Sequence, residues 1–423
     1  MPRAVILSGA LGSGHDVVSD VVLQGLEGYG WQVRTLDCMA MLGSLGARVG
    51  DRVFRRITAM PGLYDALHFA HFRRGTALVR ALDREATRRL VPAVRLALAA
   101  EPADLIVATF ATGASVAAKL HAEMPDTRTM VLCTDVDPYW LWVWEELDLF
   151  LVTSRAGVGS VRRYAPGAKV QIVPRPVRPA FYEAPDQFSA RRALGLAEDA
   201  DVVLLMGGGW GLGPVEDLAR ALGEAGVDVL AVAGNNAGLR TRLERAAAAC
   251  ECIHPFGFTD RVPELMSAAD IVVTTPGATT CSEARVVGRH LVVVDAFPGH
   301  GRQNLQHELE LGDADGVGPS VHEVLRMVRD VLGGIRRPLT TVVRPAGEWP
   351  DAFARALESL GLLSRAGGAK AGDAANAGDA ADAGGAADAD AAAGEAGSAA
   401  VAGTPNGRSK RRRSLTSSGG NRE

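Results

Sequence analysis

Residues 271–294, IVVTTPGATTCSEARVVGRHLVVV, divide into an apolar run, a Pro276-Gly277 break, a helical stretch and a second apolar run. The runs at 271–274 and 291–294 are short and apolar without polar alternation, which suits strands buried on both faces. Such strands lie parallel, and the crossover between them covers one face of the sheet with a helix. An α/β fold with a parallel sheet follows. Thr279, Thr280 and Ser282 place hydroxyls and backbone N–H groups at the start of that helix, an arrangement that seats a phosphate. Glu283 falls in its first turns, where one carboxylate can accept hydrogen bonds from both hydroxyls of a ribose. Favourable charge placement near a helix N-terminus would explain the same residue without a ligand.

Working outward, the same alternation occurs twice. Upstream in the second half, runs at 202–206 and 229–233 read as further strands, the first followed by Gly207, Gly208, Gly209, Gly211 and Gly213. In the first half, strands are expected at 4–7, 32–36, 105–109, 129–133 and 149–152; the first runs through Ser8 into Gly9, Gly12 and Gly14, then His15 and a helical stretch. Glycine turns let a backbone approach a ligand closely, and one such turn per half would face the other across a cleft at the carboxyl ends of two sheets. Between the halves lies VPRPVRPAF, 173–181, whose three prolines suit a connector better than a strand or helix. The expected organisation is a Rossmann-like domain over 1–175, a second over 176–363, and a disordered tail over 364–423. The tail is Ala, Gly and Asp-rich, ends in Lys410 and Arg411 to Arg413, and has too few large apolar residues to offset its ordering entropy.

The bulk properties narrow the function classes. A net charge of -4 and a pI near 6.2 over 423 residues give no field that would draw the chain onto nucleic acid. Cys38, Cys133, Cys250, Cys252 and Cys281 are odd in number and scattered, which reads as incidental thiols in a reducing cytoplasm and not as a disulfide framework or metal site. The N-terminus reads as a strand and not as a signal peptide, and no run reaches the length and apolarity of a membrane span. The stretch 48–89 carries ten arginines, Arg52, Arg55, Arg56, Arg73, Arg74, Arg80, Arg84 and Arg88 among them, interleaved with Phe54, Tyr64, Phe69 and Phe72; this suits either a solvated helix or one lying on anionic lipid.

Several ordered motifs then point the same way. SGALGSGHDVVSDVVLQGL resembles the glycine-glycine-histidine opening of glycosyltransferase family 28, in its diacylglycerol branch of monogalactosyldiacylglycerol synthases and processive diacylglycerol glucosyltransferases. LCTDVDPYWLWVWEELDLFLVTS is similar to that branch's threonine-aspartate segment, with Thr134, Asp135, Trp142 and Asp148 in register. RPVRPAF resembles its connector, VAGNNAGL its glycine-x-asparagine turn, and TTPGATTCSEA its nucleotide loop.

The resemblance implies a GT-B fold and an inverting, metal-independent transfer of a hexose from a UDP-sugar to diacylglycerol or a related lipid. It implies no cofactor, since the UDP-sugar is itself a co-substrate. It assigns catalysis to His15, as general base, and Asp135. Donor binding falls to Gly208, Gly209, Asn236, Phe256, Gly257, Phe258, Gly277, Thr279, Thr280, Glu283, His300 and Asn304. Gly12, Gly14, Tyr139 and Trp142 would line the acceptor and diphosphate loop. The chain would work on the inner face of the cell membrane, peripherally, with an anionic surface as partner; oligomeric state stays open. Thr275 and Ala278 in the nucleotide loop, and His300 and Gly301 where the branch has glutamine and glutamate, depart from the pattern and leave the donor sugar open; Tyr139, where the branch often has histidine, and Ala111, where it has proline, leave the acceptor open. Two alternatives remain: an N-acetylglucosaminyltransferase acting on a polyprenyl-diphosphate peptidoglycan precursor, and a catalytically weak UDP-sugar-binding regulator.

Overall fold

The structure is a computed structural model. It describes residues 1–9, 13–43, 71, 73–296, 300–312, 314–334 and 348–364, with the backbone alone at 13–15 and 300. The expected tail, Gly12, and most of the arginine-rich stretch 48–89 lie outside the described residues.

The first sheet comprises β1 (Arg3–Ser8), β2 (Gln32–Asp37), β3 (Leu105–Ala108), β4 (Arg128–Leu132), β5 (Leu149–Val152) and β6 (Val170–Ile172). Their order is β2-β1-β3-β4-β5-β6, every pair parallel. The chain between them forms α1 (Ser13–Gly28), α2 (Cys38–Met41), α3 (Ala77–Ala100), α4 (Ala111–Glu123) and α5 (Arg155–Tyr164). β3, LIVA, is buried at every position because helices cover both faces, so its apolar run needs no alternation. Short side-chain caps set the helix starts: Asp37 accepts from Met39 N and Ala40 N to open α2, and Ser154 accepts from Gly157 N to open α5.

After the connector, the second half contains α6 (Pro179–Tyr182), α7 (Gln187–Leu194), β7 (Val202–Met206), α8 (Val215–Glu224), β8 (Asp228–Val232), α9 (Ala237–Ala247), β9 (Ile253–Phe256), α10 (Val262–Ala268), β10 (Ile271–Thr274), α11 (Ala278–Val287), β11 (His290–Val294), α12 (His300–Glu310), β12 (Ala314–Val317), α13 (Val321–Leu332) and α14 (Glu348–Ser359). The sheet order is β12-β11-β10-β7-β8-β9, again all parallel. Gly288, at φ +75°, closes α11 in the left-handed region that a side chain would strain, so the chain can turn into β11. Pro179 at the start of α6 begins a single helical turn inside the expected connector.

Three strands were not expected from the sequence, and all three are edge strands. β6, β9 and β12 are short and only partly buried; β9 contains Pro255 and β12 reads ADGV. An edge strand is covered on fewer sides and carries a weaker apolar signal. The domain boundary is also corrected at the C-terminal end. Residues 348–363 were assigned to the second domain, but α14 packs on the first sheet. Trp349, Phe353, Ala356 and Leu357 share a core with Ile6, Val22, Leu26, Leu105 and Leu149. Gly25 of α1 sits within 3.3 Å of the Phe353 ring, measured from where a Cβ would be, and Gln171 donates to Ala352 O at 2.9 Å. Burying a Phe and a Trp in this way contributes roughly 2–3 kcal/mol for each ring, enough to hold the returning helix on a domain it left nearly two hundred residues earlier.

The sulfurs of Cys250 and Cys252 lie side by side before β9, while Cys38, Cys133 and Cys281 are buried thiols. Among the described residues no helix is long and apolar enough to cross a membrane.

Candidate active site

The carboxyl ends of β7, β8, β9 and β10 put four loops side by side at one edge of the second sheet. The loop after β7 is compact because it is almost all glycine. A Cβ at Gly207 would collide with the carbonyl oxygen of Leu212, whose N–H donates to Gly207 O at 2.9 Å. Gly208 and Gly209 form a single tight turn with Trp210, and Gly209 O accepts from Asn235 N at 2.8 Å, tying this loop to the one after β8. Gly234, at φ +57°, lies directly against that turn. Asn236 does not reach out of this cluster: its Oδ1 accepts from Leu239 N at 2.9 Å and caps α9.

After β10, Gly277 opens α11 with no side-chain cap, so the N–H groups of its first turn are available to an anion. Gly277 is exposed, Thr279 half-buried and Thr280 buried. Asn304, buried at the start of α12, donates to Pro276 O at 3.0 Å and braces this turn from behind. Glu283 is 4% exposed, and its Oε1 meets Arg178 Nη2 of the connector at 3.1 Å. Burial raises its carboxyl to about 7, against the pull of the Arg178 guanidinium. Phe256 ends β9 with its carbonyl accepting from Ala233 N, Gly257 lies beside the Arg240 guanidinium, and Phe258 is 69% exposed at the loop tip.

At the first sheet the same end carries Gly9, packed against the Phe110 ring, and the segment after β4. His15 and Gly14 lie in the first turn of α1, where the side chain of His15 falls outside the described residues, as does that of His300 at the start of α12. Asp135 Oδ2 accepts from Trp142 Nε1 at 2.8 Å; Trp142 is 1% exposed and so acts by fixing that carboxylate. Tyr139 is buried beneath Arg73, whose guanidinium carbon lies 6.0 Å from the ring centre. Asp148, in the same motif, sits at the opposite end of β4, accepting from Thr129 N and Oγ1 at 2.8 and 2.9 Å. It braces the sheet away from the site.

Four residues at the junction were not singled out from the sequence. Arg175 of the connector donates to Thr134 O at 2.9 Å, and Arg178 meets Glu283 as described. Asp137 accepts from Arg73, Ser160 and Gln303. The two arginines were legible as charges in a proline-rich connector, but nothing local marked them as turned inward. Asp137 stands two residues from Asp135 in a polar loop, where a second carboxylate looks like any solvated one.

Residues 214–316 match the glycosyltransferase family 28 C-terminal domain. The chain is similar to monogalactosyldiacylglycerol synthase 1 of Arabidopsis thaliana, at 31% identity over 182 residues covering 41% of this chain and 34% of that protein. It is similar to processive diacylglycerol beta-glucosyltransferase of Bacillus licheniformis, at 28% over 184 residues covering 42% of this chain and 47% of that protein. The matched stretch thus spans less than half the length of these curated relatives. Among solved structures, UGT89C1 of Arabidopsis thaliana complexed with UDP superposes with a TM-score of 0.57 at 14% identity, covering 86% of this chain and all (100%) of that one. Sucrose-phosphate synthase of Thermosynechococcus elongatus gives 0.54 at 16%, covering 86% and 97%. These likenesses show the fold, two Rossmann-like domains in the GT-B arrangement. On that fold, residues 214–316 of the second domain are similar to the glycosyltransferase family 28 C-terminal domain.

Proposed function

We propose that the chain transfers a hexose from a UDP-sugar to diacylglycerol or a related lipid at an anionic membrane surface, with inversion and without a metal. The observation that carries this reading is the uncapped start of α11 beside the glycine turn after β7, with buried Glu283 one turn further along the helix. The diphosphate rests against backbone N–H groups, and Glu283 in its ionised form, which Arg178 favours against burial, accepts the ribose hydroxyls. The acceptor hydroxyl attacks the anomeric carbon as the bond to the diphosphate breaks. UDP leaves with the electron pair, and the hydroxyl proton passes to His15. Asp135, fixed by Trp142, orients the acceptor side. Helix dipole and N–H groups stabilise the departing charge in the place a metal would take.

The outward face of α3 supports the membrane assignment. Leu78, Leu82 and Leu96 are 67%, 59% and 73% exposed on one side of the helix, flanked by exposed Arg84 and Arg88. Apolar side chains rimmed by arginine suit the boundary of an anionic bilayer. Incubation with labelled UDP-glucose, UDP-galactose and UDP-N-acetylglucosamine over vesicles of diacylglycerol and anionic phospholipid tests the whole reading. Labelled glycolipid is expected, and His15→Ala should abolish it while leaving UDP affinity intact. Label passing only to a polyprenyl-diphosphate precursor, or UDP binding with no transfer to any acceptor, would overturn it.

A further inference from the structure

We infer that Asp137 and Gln303 form the contact that sets the two domains in register for transfer, a carboxylate fixed in the first domain taking a hydrogen bond from α12 of the second. Asp137 follows β4 and is held from its own side. Its Oδ2 accepts from Arg73 Nη2 at 2.5 Å, and its Oδ1 accepts from the Ser160 hydroxyl of α5. Gln303 Nε2 donates to the same Oδ2 at 3.2 Å across the junction. The next residue, Asn304, donates to Pro276 O of the nucleotide loop at 3.0 Å. Two consecutive side chains in the first turn of α12 therefore tie the opposite domain to the seat of α11.

Two further polar links among the described residues, Arg175 to Thr134 O and Arg178 to Glu283, start from the connector and reach each domain along the hinge. The Asp137–Gln303 bond joins the domains directly, 166 residues apart in sequence. It is a single bond at the long end of the range and half-buried, so it can break and re-form as the domains separate. The two residues are positioning residues. This inference rests on the reading that donor sits in the second domain and acceptor in the first.

The test uses the full chain with Gln303→Met, which keeps the stem and removes the donor, and spin labels on the exposed positions Glu27→Cys and Glu224→Cys, one in each domain. Pulsed dipolar spectroscopy should show a broader and longer distance distribution in Gln303→Met than in the parent, with or without UDP. UDP affinity should stay within twofold and turnover should fall about tenfold. Combining Gln303→Met with Asp137→Ala should cost no more than Asp137→Ala alone, because both remove the same bond. An unchanged distance distribution would overturn the inference, whatever happens to the melting temperature. Absence of UDP binding in the parent would instead count against the functional reading, and the distances without ligand would still decide the role of the pair.

Discussion

The two sheets present their carboxyl ends to the same cleft and build them from different material. In the second domain the surface is backbone: Gly209 O accepts from Asn235 N between two loops, Gly234 packs against that turn, and Gly207 and Gly277 shape their own loops. In the first it is side chains, with Trp142 on Asp135, and Arg73 and Ser160 on Asp137. Backbone surfaces offer N–H groups at fixed spacing, which suits a constant diphosphate. Side-chain surfaces can be altered one residue at a time, which suits a varied acceptor. Gly207 and Gly234 leave no room for a side chain against neighbouring backbone; pairs of the second kind lose one interaction when cut.

The contrast is broken most severely at Gly207. Gly207→Ala forces the Leu212 carbonyl to move, at a cost on the order of 3 kcal/mol, and UDP affinity should vanish in calorimetry; retained affinity would show that the loop is not the donor seat. Trp142→Phe cuts a side-chain pair and should cost about 2 kcal/mol, since a hydrogen bond to a charged group is lost. Its signature is a fall in turnover at constant UDP affinity, and a matching loss of UDP affinity would erase the division between the two ends.

The Glu283 carboxyl, raised by burial to about 7, gives two opposite pH trends. Its contribution to folding stability is complete below the ordinary carboxylate range and is lost as pH rises through about 7. UDP affinity should grow over the same rise, by about tenfold from pH 6 to pH 8, because the ionised form accepts the ribose hydroxyls. Glu283→Gln should flatten both trends; a persistent pH slope in that variant would assign the titration elsewhere. Smallest of all, removing residues 365–423 should leave melting temperature and UDP affinity unchanged, because the packing that follows α14 on the first sheet runs through Leu360, Leu362 and Leu363, all of which the truncation keeps. A lowered melting temperature would place part of that segment against the domains.

The middle of each sheet was legible because strands such as 105–108 and 271–274 are apolar at every position, and burial on both faces leaves no other reading. Three of the four edges were not, since Gln171, Pro255 and Asp315 interrupt the runs there, while the edge strand β2 was expected at 32–36. The helical pattern of Trp349, Ala352, Phe353, Ala356 and Leu357 announces a buried face but not which sheet it covers, and chain order suggested the wrong one. At the site, glycines and Glu283 stood out by type and spacing. Asp137 and Gln303 carry no local mark, because what matters is that they meet across 166 residues. Asn236 and Asp148 show the converse: motif residues whose side chains serve the loop or the sheet.

Isothermal calorimetry of UDP against the parent chain and against Glu283→Ala tests the central claim most directly. One molecule of UDP bound per parent chain, with binding lost in the variant, is the expected result. A parent chain that takes up no UDP, or a variant that binds it as tightly as the parent, would contradict the account.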